Sequence, residues 1–406
     1  MKIRRILCVL LAAMFLLTAF VGCDNKTGGN ENNDQNNQQN NEQNNDQNDT
    51  NNTTPPPAGD EGNGGDENTD GTQNGEGGEG GEGGDGSGEE VKIPASEYKV
   101  NMITYNIAYY ESTDSQMKVG YTGQTAADYT IAKRQLRLKA LVEHYKPDVL
   151  ALQEVNHIWW EYLITDEDSL LNKMGYEYEG NKSGMGNSDG FGSTDNELYN
   201  LLFWNPERFE LVKGGVFYLT SSGRKTESGA NRSRMCTYAI LKNKATGNET
   251  VYASTHLCTT GTDSDGDLNL KQAKALKQHL EGRAEGRPIV VGGDFNMHAQ
   301  SDTSAETYEY MIGAGGFFDG KTKAKVRLGV SNSSYRSWGT NTGWKNGSQI
   351  DYIFFKGEDI QLLKWSLLTD CFSPDNKVAG AAFVGDYYDL SDHLGIFVTV
   401  NELNKG

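Results

Sequence analysis

The chain has 406 residues, 37 Lys and Arg against 56 Asp and Glu, and 36% hydrophobic residues. Its acidity is unevenly placed: residues 24–94 hold 17 acids and two lysines, residues 1–23 hold three cations, and only −7 of the formal −19 belongs to residues 95–406. That balance argues against strong nonspecific duplex binding over a broadly basic surface, and Cys236, Cys258 and Cys371 match no zinc spacing and allow at most one disulfide, so they read as buried free thiols.

Residues 1–23 open with three cations, run apolar from Ile6 to Val21 and reach Gly22-Cys23. The run falls short of the roughly 20 residues of a bilayer span, so it reads as a secretory signal rather than an anchor helix. A cysteine directly after an apolar run and a small residue resembles a bacterial lipoprotein signal, although Phe20 stands where that pattern usually has Leu. On that reading residues 1–22 are removed, and Cys23 is lipidated and holds an extracytoplasmic protein on the cell surface. Residues 23–94 are Asn, Gln, Gly, Asp and Glu with almost no large apolar side chain. Such a stretch cannot offset its ordering entropy and reads as a flexible acidic tether. Residues 95–406 then form one large catalytic α/β domain.

Within that domain, residues 98–107 are rich in strand formers, which puts Asn106 near a strand's exit. Leu138, Leu141, Val142 and Tyr145 fall at i, i+3, i+4 and i+7, the spacing of a helix with one buried face, and Pro147 ends it. Residues 148–154 read as a buried strand ending at Glu154. Residues 180–197, mostly Gly, Ser, Asn and Asp, predict a long surface loop. The segments 198–204 and 208–218 read as paired strands around an Asn205-Pro206 turn. A second antiparallel pair is expected at 235–242 and 250–255, around Thr246-Gly247-Asn248. A helix over 268–280 returns to a strand at 288–292, and two late strands follow at 352–355 and 394–400. Interleaved strands and helices with several hairpin-length connections point to mixed sheets.

Polar clusters close five of these apolar runs: Thr104-Tyr105-Asn106, Gln153-Glu154, Thr255-His256, Gly293-Asp294-Phe295-Asn296, and Asp351 with Ser391-Asp392-His393. Strand ends can hold carboxylates and imidazoles rigidly while leaving them open to a ligand. Carboxylate, amide and histidine arriving from separate strands look like a hard-metal hydrolytic site. In this order, over residues 97–400, the motifs resemble the endonuclease/exonuclease/phosphatase superfamily. That superfamily includes deoxyribonucleases, abasic-site endonucleases, deadenylases, neutral sphingomyelinases and inositol-polyphosphate phosphatases. The resemblance implies a four-layer α/β sandwich of two packed mixed β-sheets flanked by helices, with the site at one edge.

The resemblance also implies roles. Glu154 is the direct ligand of magnesium, with manganese a substitute, and Asn106 supports the metal or orients water beside it. Magnesium keeps several waters, so one or two carboxylates and a substrate phosphate suffice. Asp294 positions or deprotonates the attacking water, and Asn296 donates to the phosphoryl oxygens. Two residues apart on an extended segment, their side chains are expected to point the same way, whereas the pair taken alone reads as an Asx turn. Asp351 bonds His393 and raises its pKa. The cation could stabilise the phosphorane and the neutral ring could act as general base. His256 is a second donor to the phosphate or an acid for the leaving group, and Asp392 lies near the metal. Two departures stand out. Ala108 occupies a position where family sites often carry a second acid, which leaves a two-metal mechanism without that ligand. The familiar Ser-Asp-His-x-Pro ending here reads Ser391-Asp392-His393-Leu394-Gly395.

The implied function is a divalent-metal-dependent phosphoesterase, monomeric and displayed on the cell surface, acting by in-line attack of activated water. A nuclease-like substrate is preferred, served by cations at Arg224, Lys225, Arg232 and Arg234 or at Lys321, Lys323, Lys325 and Arg327. The alternatives are a sphingomyelinase-like or inositol-phosphate phosphatase-like activity on a phospholipid head group or small phosphorylated molecule, and a noncatalytic surface binding module of the same fold. No segment reads as an exposed apolar hairpin for bilayer contact. Trp159 and Trp160 read equally as a stacking or lipid-contact pair and as buried packing. Residues 263–267 read as a solvated acidic loop rather than a calcium loop.

Overall fold

The computed structural model describes residues 95–110, 119–121, 123–180, 198–223, 234–259, 268–299, 305–339, 349–380 and 388–403. Its strands are β1 Lys99–Asn106, β2 Val149–Val155, β3 Glu177–Glu179, β4 Tyr199–Trp204, β5 Phe209–Tyr218, β6 Met235–Asn243, β7 Glu249–His256, β8 Ile289–Asp294, β9 Phe318–Asp319, β10 Val326–Leu328, β11 Asp351–Lys356, β12 Ile360–Leu367, β13 Cys371–Phe372, β14 Val378–Gly380 and β15 Ile396–Glu402. The longer helices are α1 Ile131–Tyr145, α2 His157–Ile164, α3 Leu268–Ala284 and α4 Ala305–Ile312.

Two mixed sheets result, one in the order β10-β12-β15-β1-β2-β4-β3 and the other in the order β5-β6-β7-β8-β11-β9. Parallel neighbours need a crossover, and α1 supplies it for β1 and β2 as α3 does for β7 and β8. Met102, Ala151, Leu202, Tyr252, Val290 and Ile353 fill the space between the sheets. Their strand neighbours Ile103, Leu150 and Leu152 point the other way and pack under Leu138, Leu141 and Val142 of α1. On the second sheet, Val251, Ala253 and Val291 pack under Ala273, Leu276 and Leu280 of α3. This is the expected four-layer sandwich, and strands buried on both faces account for their unbroken apolar runs. Helix α1 stops where Lys146 turns left-handed at φ 45° and sends its N–H to the Val142 carbonyl at 2.8 Å, and Pro147 follows.

One expected pairing does not form. β4 pairs with β2 and β3, and β5 pairs with β6 in the other sheet. The Asn205-Pro206 turn therefore carries the chain between sheets instead of closing a hairpin. All six residues of β4 are buried, a burden only an interior strand covered on both faces can carry. Trp159 and Trp160 resolve as packing. Trp159 is fully buried and donates to the Ala108 carbonyl at 2.9 Å, and Trp160 stands edge-on to Tyr199. Cys236, Cys258 and Cys371 are buried free thiols. Residues 1–94 with Cys23, most of the 180–197 loop, residues 224–233 and residues 263–267 lie outside the described residues.

The two glycines before Asp294 have a steric reason. A methyl on Gly293 would run into the Thr255 carbonyl of β7, and one on Gly292 would lie 2.7 Å from Cβ of Thr104 on β1. Gly293→Ala is expected to cost about 1–3 kcal/mol as overpacking, seen as a lower urea midpoint at unchanged slope. An unmoved midpoint would show that the strands have slack there.

Candidate active site

The polar strand ends converge where the two sheets meet. Asn106 ends β1, and its Nδ2 donates to Glu154 Oε1 at 3.1 Å and to Asp294 Oδ2 at 3.0 Å, with His393 Nε2 at 3.4 Å. Its Oδ1 accepts from the Ala108 amide at 3.0 Å. The position lacking an acid thus holds Asn106 with its backbone, in a left-handed conformation of φ 51°. Glu154 is aimed by a register shift between β2 and β4 after Leu152. At φ 61° it sits in a bulge that turns its carboxylate out of the ladder, and its Oε2 accepts from the Tyr109 amide at 3.0 Å.

From the second sheet come Asp294, Asp351 and His256. Asp351 Oδ2 lies 2.9 Å from His393 Nδ1, the pair expected from the sequence. His256 Nε2 lies 3.3 Å from Asp294 Oδ2 and 3.0 Å from Asn296 Nδ2. Asn296 does not continue an extended segment beside Asp294. At φ 47° it is left-handed, and its N–H donates to Asp294 Oδ1 at 2.9 Å. The pair is an Asx turn and part of the cluster at once, with the Asn296 amide directed to His256 and to the Leu257 carbonyl at 2.9 Å. Asp392 stands apart: its Oδ1 accepts from Ser391 Oγ at 3.3 Å and its carbonyl from the Arg336 amide at 2.6 Å.

Burial, and then the charge of Asp351, push the Asp294 carboxyl up to about 7 against the pull of His393. Burial alone would lower the His393 pKa, but Asp351, by charge and hydrogen bond, and Asp294 lift it well above its ordinary value. The shift favours the cationic ring. Ligand atoms of Glu154, His256 and Asp294 lie within 4.8 Å of one another, as do those of Asp294, Asp351 and His393. The carboxylate oxygens of Glu154, Asp294 and Asp351, with imidazoles beside them, suit a hard divalent cation, so this donor set fits one. Asp392 belongs to neither group.

Several residues to which the sequence assigned no role support the cluster. Ser391 Oγ donates to the Asn106 carbonyl at 2.7 Å and accepts from the His393 amide at 3.2 Å. Ser334 Oγ accepts from the amides of Ile350 and Asp351, and Tyr335 stands edge-on to the His393 ring at 4.9 Å. Arg134, buried on α1 between Trp159 and Trp338, donates to the carbonyls of Ile107, Ala108 and Leu390. Its signal was readable: Arg134 and Arg137 fall on the same helical stripe as Leu138 and Leu141.

Two mixed sheets that meet at a carboxylate, amide and histidine centre define a class of phosphoester hydrolase folds. The profile described as the Endonuclease/Exonuclease/phosphatase family matches residues 103–393, and the chain belongs to that family. Nocturnin of Xenopus laevis is 26% identical over 214 residues, 52% of this chain and 50% of that protein. Nocturnin of Homo sapiens is 25% identical over 250 residues, 61% of this chain and 54% of that protein. The chain thus spans about half the length of the curated relatives it matches. Among solved structures, a mannosyl-6-phosphatase of Bacteroides thetaiotaomicron superposes with a TM-score of 0.57 at 19% identity, over 74% of this chain and 99% of that one. A family protein of Bacteroides vulgatus gives 0.56 at 21%, over 74% and 98%. At these identities the likeness is one of fold.

The raised Asp294 pKa has a consequence for stability. Between 3.8 and about 7 the folded state binds more protons at this site than the unfolded chain, so its contribution to stability falls as pH rises through that window. Asp294→Asn removes the fall. In chelator, the variant is expected to gain stability over the parent from pH 5 to pH 8, measured by denaturant midpoints. A parallel pair of curves would contradict the assignment.

Proposed function

We propose that the chain is a divalent-metal-dependent phosphoesterase that cleaves by in-line attack of water. The observation that carries this reading is the Asn106 carboxamide, bonded at once to Glu154 of one sheet and Asp294 of the other. Glu154 would hold magnesium, or manganese in its place, with the Asn106 amide supporting that carboxylate from beside it and Asp392 an outer carboxylate. When bound, the ion supplies electrostatic polarisation of the phosphoryl group. Asp294 takes a proton from water as the oxygen bonds to phosphorus. Asn296 and the His393 cation donate to the phosphoryl oxygens, where charge develops. Asp351 orients His393 and keeps it protonated. His256, next to Asn296, donates to the leaving oxygen as its bond to phosphorus breaks.

A nucleic-acid phosphodiester is the first substrate of this reading. Phospholipid and sphingomyelin head groups, inositol phosphates and small sugar phosphates are the alternatives, since one centre can serve many phosphoesters. Display on the cell surface through lipidated Cys23, ahead of a tether over residues 23–94, is part of the same proposal. It is checked by whether Cys23→Ser releases the protein from the membrane fraction.

Asp294→Ala and His393→Ala are each expected to lower kcat/KM by about 10²–10⁴, and chelator to abolish turnover until magnesium or manganese is returned. Turnover indifferent to chelator would sink the metal reading. A folded protein inert on every substrate class would instead be a noncatalytic binding module.

A further inference from the structure

Residues 318–330 edge both sheets. β9 ends the second sheet and β10 ends the first, with the helical turn Gly320–Lys323 between them. Four large apolar side chains lie open along this one segment: Phe318 at 44%, Val326 at 51%, Leu328 at 49% and Val330 at 40% exposure. Cations alternate with them at Lys321, Lys323, Lys325 and Arg327. From Gly320 to Ile350 the chain carries six cations and no acid, in a domain whose formal charge is −7.

The β10 part of this flank runs to the site's end of the sandwich, whereas Phe318, paired with Phe355, lies toward the end of β11 away from Asp351. β10 runs parallel to β12, and β12 runs antiparallel to β15 with Leu367 beside Ile396, three residues after His393. The chain from Val326 to Leu328 therefore runs along the sheet edge toward the end at which His393 precedes β15. Five residues beyond Val330, Tyr335 bridges to His393.

We propose that this flank is a docking surface for an anionic lipid bilayer, which seats the mouth of the site at the membrane interface. Aliphatic side chains interleaved with Lys and Arg bury apolar area in the head-group region while the cations meet anionic lipid. The domain's net negative charge does not oppose this, because screening confines the interaction to about 8–10 Å. Nucleic acid fits less well: single strands stack on free aromatic rings, and the one exposed ring here, Phe318, is packed against Phe355 with Lys323 over it. A second copy fits less well still, because a two-fold contact would set these cations against themselves, and Lys325 before edge strand β10 and Arg327 within it oppose strand pairing. Edge protection explains these cations but not the open aliphatic row.

The test uses residues 86–406, a compact unit containing every described strand and helix. It compares co-sedimentation with vesicles of phosphatidylcholine alone and of phosphatidylcholine mixed with phosphatidylglycerol. The expected result is binding to the mixed vesicles that weakens with salt and falls about tenfold or more in Val326→Glu/Leu328→Glu and in Lys323→Glu/Lys325→Glu/Arg327→Glu. Both variants should keep the parental melting temperature, and Val326→Glu/Leu328→Glu should also keep the turnover of a soluble phosphoester. Docking and turnover are read separately, so failure of one is not failure of the other. Vesicle binding that is absent, or equal in parent and variants, overturns the proposal. So does a loss confined to oligonucleotide affinity, or the loss of a dimer in solution.

Discussion

The site depends on one neutral carboxamide placed at the seam between two sheets. Asn106 is fully buried, and its single NH₂ group bridges Glu154 on its own sheet and Asp294 on the other. An aspartate there would add another carboxylate to a cluster in which Asp294 already resists ionisation until about pH 7. A leucine would take this donor from Glu154 Oε1 and Asp294 Oδ2, and removing a buried partner exposes the desolvation penalty of what remains. The amide is tolerable because both its ends are satisfied, its oxygen by the Ala108 amide. That contact forces Ala108 into left-handed backbone and so links the turn after β1 to the chemistry.

The turn in turn depends on Arg134. A guanidinium with five donors in a fixed fork can satisfy several carbonyls that no strand ladder reaches. Arg134 does so for Ile107, Ala108 and Leu390, joining the exit of β1 to the segment that carries Ser391 and His393. Arg137, one turn later, holds the Asp128 and Asp389 carbonyls between the rings of Tyr129 and Tyr388. Helix α1 therefore does two jobs with one stripe: its leucines fill the outer core, and its arginines fasten loops beside the site. Replacing a buried arginine of this kind strands its carbonyls as well as removing a charge.

What was legible in the chain follows from the same physics. Strand ends were readable because β1, β2, β7 and β8 are buried on both faces, so each apolar run stops where the first polar side chain can be used. Asp351 and His393 could be paired only through the family resemblance, since 42 residues separate them. The fate of the Asn205-Pro206 turn was not legible. A turn signal states that the chain reverses, and whether the next strand joins the same sheet is decided by which faces must be covered. The left-handed Glu154 and Asn296 were hidden for a related reason: neither is a glycine, and their conformations are imposed by the bulge and by the Asp294 bond. Ser334 was invisible because a lone serine in a polar loop carries no pattern, although its hydroxyl caps two amides beside Asp351.

Three non-glycine residues around this centre, Ala108, Glu154 and Asn296, have φ between 47° and 61°. Each such conformation costs of order 1–3 kcal/mol and persists only where neighbours over-determine it. Here the neighbours are three separate apolar cores and a strand contact that only glycine permits at Gly293. A centre fixed this tightly has little freedom to reshape itself around different substrates. Discrimination must then come from surfaces outside it, such as the proposed docking edge at 318–330. The parts of the chain that hold the chemistry and the parts that choose the substrate are under opposite demands. The first must be buried and locked, and the second must be exposed and free to change without disturbing the lock.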